Sequence, residues 1–102
     1  LFKKANAVEE DEAQKNKLME EAIFYFEKAK EIDSEIKEVY DLLGTLLLQL
    51  EQYDKAREIL EQGVELFPES ASVWQSLSFL YAKLGEKKKA EEAFEKSKQL
   101  EE

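Results

Sequence analysis

With neither cysteine nor histidine anywhere in the chain, every chemical task would fall to carboxylates, amines and hydroxyls. That removes disulfides, thiolate and imidazole metal ligands, and every Ser/His or Cys/His nucleophilic pair at once. Two charge runs remain. Glu9-Glu10-Asp11-Glu12 has the charge to hold a hard cation, but calcium loops space their acidic oxygens around a glycine turn, and the first glycine in the chain is Gly44. Lys87-Lys88-Lys89 could dock an acidic ligand, yet it sits in a chain of formal charge −9. Both runs read as solvated helix ends or turns. A general acid or base needs a positioned group in a tuned environment, and no polar cluster falls on the faces that the apolar pattern assigns to a core. The chain reads as a non-enzyme with no cofactor and no metal site.

The elements that would position such residues are helical. One proline and three glycines in 102 residues, among abundant Glu, Lys, Ala, Leu and Gln, favour long helices over strands. The length and the 43% hydrophobic content suffice for one domain. A net charge of −9 repels the phosphates that nucleic-acid binders must neutralise, so nucleic acid is excluded as a partner, and the same charge predicts a monomer at low micromolar concentration. No apolar run approaches the roughly 20 residues of a membrane span, since Leu42 to Leu50 is broken by Gly44, Thr45 and Gln49. The expected setting is soluble and cytoplasmic, without membrane insertion. The chain begins at Leu1 with no initiator methionine or secretory signal, and reads as a piece of something longer.

The strongest signal is a period of 34 residues. Ala22, Ala56 and Ala90 align, as do Phe26, Leu60 and Phe94, and then Ile32, Leu66 and Leu100. In the preceding segment Tyr40 aligns with Trp74, Leu43 with Leu77, Gly44 with Ser78, and Leu47 with Tyr81. Apolar residues thus return at i and i+4, the stripe of an amphipathic helix. The period predicts helices at 1–14, 18–31, 37–50, 54–67, 71–84 and 88–101. Small residues at 44, 56 and 90 mark close backbone approach, and Trp74 and Phe94 are expected in the core. Ser70 is placed to cap the fifth of these helices and Pro68 to stop the fourth. The first copy is irregular, because a strict register would put Glu9 and Glu10 at core positions. Starting its first helix five residues earlier puts Leu1, Ala5 and Val8 on the buried face and implies an insertion within Glu9 to Lys17.

These residues resemble the tetratricopeptide repeat, W-x2-L-G-x2-Y then A-x3-F then P across 34 residues. Lys37 to Ser70 carries Tyr40, Leu43, Gly44, Leu47, Ala56, Leu60 and Pro68 at the family spacing, and Ala71 to Glu102 carries Trp74, Leu77, Tyr81, Ala90 and Phe94. The resemblance implies a single domain, an all-α right-handed solenoid of three repeats (about 1–36, 37–70 and 71–102) and six helices. Ser97, Lys98 and Glu102, which replace Gly63, Val64 and Pro68, suggest a polar cap at its C-terminal end. Phe24 and Tyr25 stand where later repeats carry Glu58/Ile59 and Glu92/Ala93, so either the lengthened first helix covers them through Leu18 or a partner does.

The family's binding surface is the concave side, lined by the first helix of each repeat. That implies a groove of Asn6, Glu38, Asp41, Thr45, Leu48, Gln49, Gln75, Phe79 and Lys83, with Phe2, Glu9, Ser72 and Ala82 beside them. Leu48 and Phe79 are its apolar anchors. The expected partner is a protein or peptide with apolar anchors and basic flanks matched to Glu38 and Asp41. The family's best-known ligand, the chaperone C-terminal tail ending in Glu-Glu-Val-Asp, needs a clamp of Lys, Asn and Arg. The corresponding residues here are Phe2 and Asn6, Leu42, and Ser72 and Ser76, of which only Asn6 fits, so that ligand is excluded. The resemblance therefore implies an interaction scaffold, with an architectural subunit that stacks on further repeats or on itself as the alternative.

Overall fold

A computed structural model describes residues 2–101, with side chains from residue 11 onward. Its elements are α1 (Phe2–Ile32), α2 (Lys37–Gln49), α3 (Tyr53–Leu66), α4 (Ala71–Lys83) and α5 (Lys87–Glu101), with no strand among the described residues. Each helix packs on the next in chain order, and α2 also packs on α4. The last four helices fall nearly where the repeat predicts them. The first two do not, because the helices expected at 1–14 and 18–31 are one continuous helix. Six helices become five, and the insertion expected within Glu9 to Lys17 is helical.

The hairpin turns of the later repeats have no counterpart within α1. The α2–α3 and α4–α5 turns each reverse the chain through a residue in the left-handed region, Glu51 at φ 61° and Gly85 at φ 77°. Each closes with a backbone bond back across the helix end, Gln52 N–H to the Leu47 carbonyl and Glu86 N–H to the Tyr81 carbonyl, both 2.9 Å. This is the six-to-one bond of a Schellman ending. One repeat earlier the corresponding residue is Lys17, and no glycine or proline occurs before Gly44. A strict-register return of the chain would also put Glu9 opposite the place of Leu43, which is wholly buried, and an unpaired carboxylate there is costly. Helix continuation avoids that burial.

The core is built from Tyr40, Leu43 and Leu47 of α2, Ala56 and Leu60 of α3, and Val73, Leu77 and Leu80 of α4. Gly44 is required, because a Cβ on it would collide with the Leu60 methyl carbon Cδ2. Ala56 is wholly buried at the same crossing. Ser70 caps α4 as expected, accepting from the Val73 N–H at 3.4 Å, and Pro68 follows the end of α3. Trp74 is half-buried, its ring N–H donating to the Pro68 carbonyl at 2.9 Å.

Three sequence expectations are corrected here. Phe94 is 47% exposed although its counterpart Leu60 is wholly buried. Ser78 stands where Gly44 admits Leu60, and its hydroxyl donates to the Ala90 carbonyl at 3.0 Å, so no equivalent notch exists for Phe94. Ser97 is no solvent-facing cap, since it is buried with its hydroxyl on the Phe94 carbonyl at 2.7 Å. Finally, nothing among the described residues covers Phe24 and Tyr25, which are 55% and 70% exposed. Their rings stack edge to face at 5.7 Å, with the Lys28 ammonium over Phe24. Leu18, the expected cover, is itself exposed.

Candidate functional site

Of the expected binding residues all but Asn6 lie on α2 and α4, which pack on each other. On α2, Glu38 and Gln49 are exposed while Asp41, Thr45 and Leu48 are half-buried; on α4, Gln75, Phe79 and Lys83 are exposed. The side chain of Asn6 lies outside the described residues, as do those of Phe2 and Glu9. Phe79 is 59% exposed, a large aromatic surface in the middle of the α4 face. Leu48 differs from the expectation of a free anchor, because it packs against the core.

Asp41 also has a role that the sequence did not suggest. Its two carboxylate oxygens accept from Ser72 at 2.8 Å and from Ser76 at 2.9 Å, one turn apart on α4. Thr45 sits 3.5 Å from the Ser76 hydroxyl. These bonds tie the second repeat to the third, and charge-assisted bonds of this kind are stronger than neutral ones. The positions that would carry cations in a carboxylate clamp are thus filled by serines already turned toward an aspartate. The signal was present as two serines four residues apart on a helix face, but only the packing of α4 on α2 identifies their acceptor.

A second polar cluster joins α3, α4 and α5. Tyr81 donates to Glu61 at 2.7 Å, Arg57 bonds Glu61 at 3.2 Å and Glu86 at 3.0 Å, and Lys89 approaches Glu86 at 3.4 Å. Burial, reinforced by the bond to Glu61, pushes the Tyr81 hydroxyl well above its usual value. Burial and then the nearby Asp33 push Tyr40 up as well, its hydroxyl resting on the Ser34 carbonyl at 2.9 Å. Both phenols therefore bind their protons more tightly folded than unfolded. The stability they contribute is complete below the unfolded value near 10 and is lost as pH rises through the folded values. Urea melts should show a decline beginning near pH 10, and the double variant Tyr40→Phe/Tyr81→Phe should flatten it; an unchanged decline would place its origin elsewhere.

The perturbed phenols are engaged structurally, and among the described residues no three acidic side chains converge to hold a metal ion. No helix is long and apolar enough to cross a membrane among those residues. What the α2 and α4 residues offer is one large exposed aromatic, exposed carboxylate and amide side chains, and an Asp41 held by two serines.

Comparison with known proteins bears on the family and the fold. Models of the tetratricopeptide repeat match residues 37–80, and also 11–36 together with 71–102. A "BBSome complex member BBS4 homolog" of Drosophila melanogaster is 41% identical over 71 residues, covering 70% of this chain and 14% of that protein. Among solved structures, a MamA double mutant (RS-1) superposes with a TM-score of 0.76 at 30% identity, covering 86% of this chain and 49% of that one. A second MamA structure (MSR-1) gives 0.74 at 24% identity over 88% of this chain and 50% of that one, a likeness of fold alone. The chain spans about half the length of the solved structures and a small part of the curated relative. The chain belongs to the tetratricopeptide repeat family, whose members serve in general as protein-interaction scaffolds.

Proposed function

We propose that this chain is an interaction scaffold whose α2–α4 face, read as the concave side of a right-handed solenoid of stacked hairpins, holds an extended or helical segment of a protein partner. The observation that carries the reading is Phe79, 59% exposed on a helix whose other large apolar residues are buried or half-buried. Exposed aromatics on a rigid element are the usual anchors of interfaces. Glu38 at the edge of the face and the net charge of −9 select basic flanks on the partner, while Lys83 sets the opposite sign beyond Phe79. The setting we propose is cytoplasmic, and the partner needs no cofactor or metal.

Isothermal calorimetry with two peptides tests this reading. A peptide with two apolar anchors flanked by lysines should bind, and more weakly as salt is raised from 0.05 to 0.5 M, because exposed charges are screened. A peptide ending in Glu-Glu-Val-Asp should not bind, since Ser72 and Ser76 supply hydroxyls already given to Asp41. Micromolar affinity for the acidic tail would overturn the proposal.

A further inference from the structure

The repeat provides its own standard for what should be covered. Leu80 of α4 is wholly buried against the preceding repeat, whereas Leu46, the residue one repeat earlier on α2, is only half-buried. Leu42 is 49% exposed, whereas its counterpart Ser76 is half-buried and bonded to α2. The missing neighbour is the first helix of the first repeat, which would fold back over this face. Instead, that segment is continuous with the rest of α1. The result is a shallow apolar groove lined by Leu18, Met19 and Ala22 of α1 and Leu46 of α2, with Asp11 and Lys15 at its edge.

In the sequence of α1 the residues Ala5, Val8, Glu12, Lys15, Met19, Ala22 and Phe26 recur at alternating steps of three and four, the spacing of a coiled-coil seam, and Leu1 continues the series ahead of the helix. The series is also chemically symmetric about a midpoint between Ala13 and Gln14. If two such helices run antiparallel about that midpoint, Leu1 falls opposite Phe26, Ala5 opposite Ala22, Val8 opposite Met19, and Glu12 opposite Lys15. Glu10 falls opposite Lys17. Met19 and Ala22 are half-buried and line the groove, Phe26 is half-buried against the core, and Glu12 and Lys15 are exposed. A return within one chain would need a reversal in the very segment that is helical and lacks glycine and proline. A second copy needs none.

We propose that two copies of this chain associate through antiparallel α1 helices, residues 1–8 of each occupying the groove formed by Met19, Ala22 and Leu46 of the other. Each copy thereby completes the repeat that its partner leaves open, an exchange of equivalent elements about a two-fold axis. The net charge of −9, which by itself favours a monomer, is met at the seam by the Glu12–Lys15 and Glu10–Lys17 pairs. Added salt screens the overall repulsion and strengthens this contact, opposite to its effect on the basic peptide.

Light scattering over a hundredfold concentration range, with circular dichroism to verify helicity, tests the proposal. Wild type should dimerise. Glu12→Lys and Lys15→Glu should each weaken the dimer about tenfold, since both exposed pairs turn repulsive. Mixing the two variants should restore it, because each then faces the opposite sign. As the chain contains no native cysteine, mixed Ala5→Cys and Ala22→Cys proteins should also form a disulfide between chains. A monomer throughout, or a dimer indifferent to these charge reversals, would overturn the proposal. So would a double-cysteine chain that cross-links only within itself, which would show that its own N-terminal segment fills the groove.

Discussion

Truncating Leu77 to alanine should lower the unfolding free energy by about 2–5 kcal/mol, the cost of a cavity at a fully packed aliphatic site, whereas Phe94→Ala should cost about 1 kcal/mol, because much of that ring is already in water. Leu77 is 1% exposed and joins the same cluster as Leu43, Leu60 and Val73, so its loss is felt on three helices. Phe94 is 47% exposed and faces the Lys98 ammonium at 5.3 Å. The repeat alignment alone would rank the two as equals, since both occupy signature positions. In a domain whose net stability is on the order of 5–15 kcal/mol, the first variant removes a large share and the second leaves the transition near its original midpoint. Urea denaturation followed by far-ultraviolet dichroism separates them. Equal losses would mean that something covers Phe94 in solution, as a further repeat would.

That contrast shows which parts of the molecule were legible. The helices α2 to α5 follow from signature residues whose roles are local: Gly44 admits Leu60, Ser70 caps, and Gly85 turns. The first repeat failed because its hairpin was carried over from the pattern into a segment whose strict register would bury a carboxylate. Its second half keeps Ala22 and Phe26, but Glu9 has no place in a core. Phe94 was misjudged for a different reason. Burial belongs to a pair of surfaces, and the change from glycine to Ser78 removed the notch that the aligned leucine uses. In the candidate groove, spacing placed Phe79 on the exposed face, but it could not foresee that Asp41 would be engaged by Ser72 and Ser76 or that Leu48 would lean on the core.

Replacing Phe79 with glutamate should weaken binding of a basic-flanked apolar peptide by at least about tenfold, the loss of one aromatic anchor, without changing helicity or self-association. The substitution is better suited to the question than Leu48→Glu, because Leu48 packs against the core and its replacement would confuse lost binding with lost stability. Phe79 has over half its surface in water, so a charge there is solvated and the fold bears little cost. The added carboxylate joins Glu38 and Asp41 on the same face, which increases long-range attraction for lysine flanks. Association should therefore be no slower while dissociation accelerates, because the anchor rather than the charge holds the bound segment. Surface plasmon resonance resolves the two rates. A variant that binds like wild type, while Phe24→Glu abolishes binding, would move the partner site from the α2–α4 face to the exposed aromatic pair on α1.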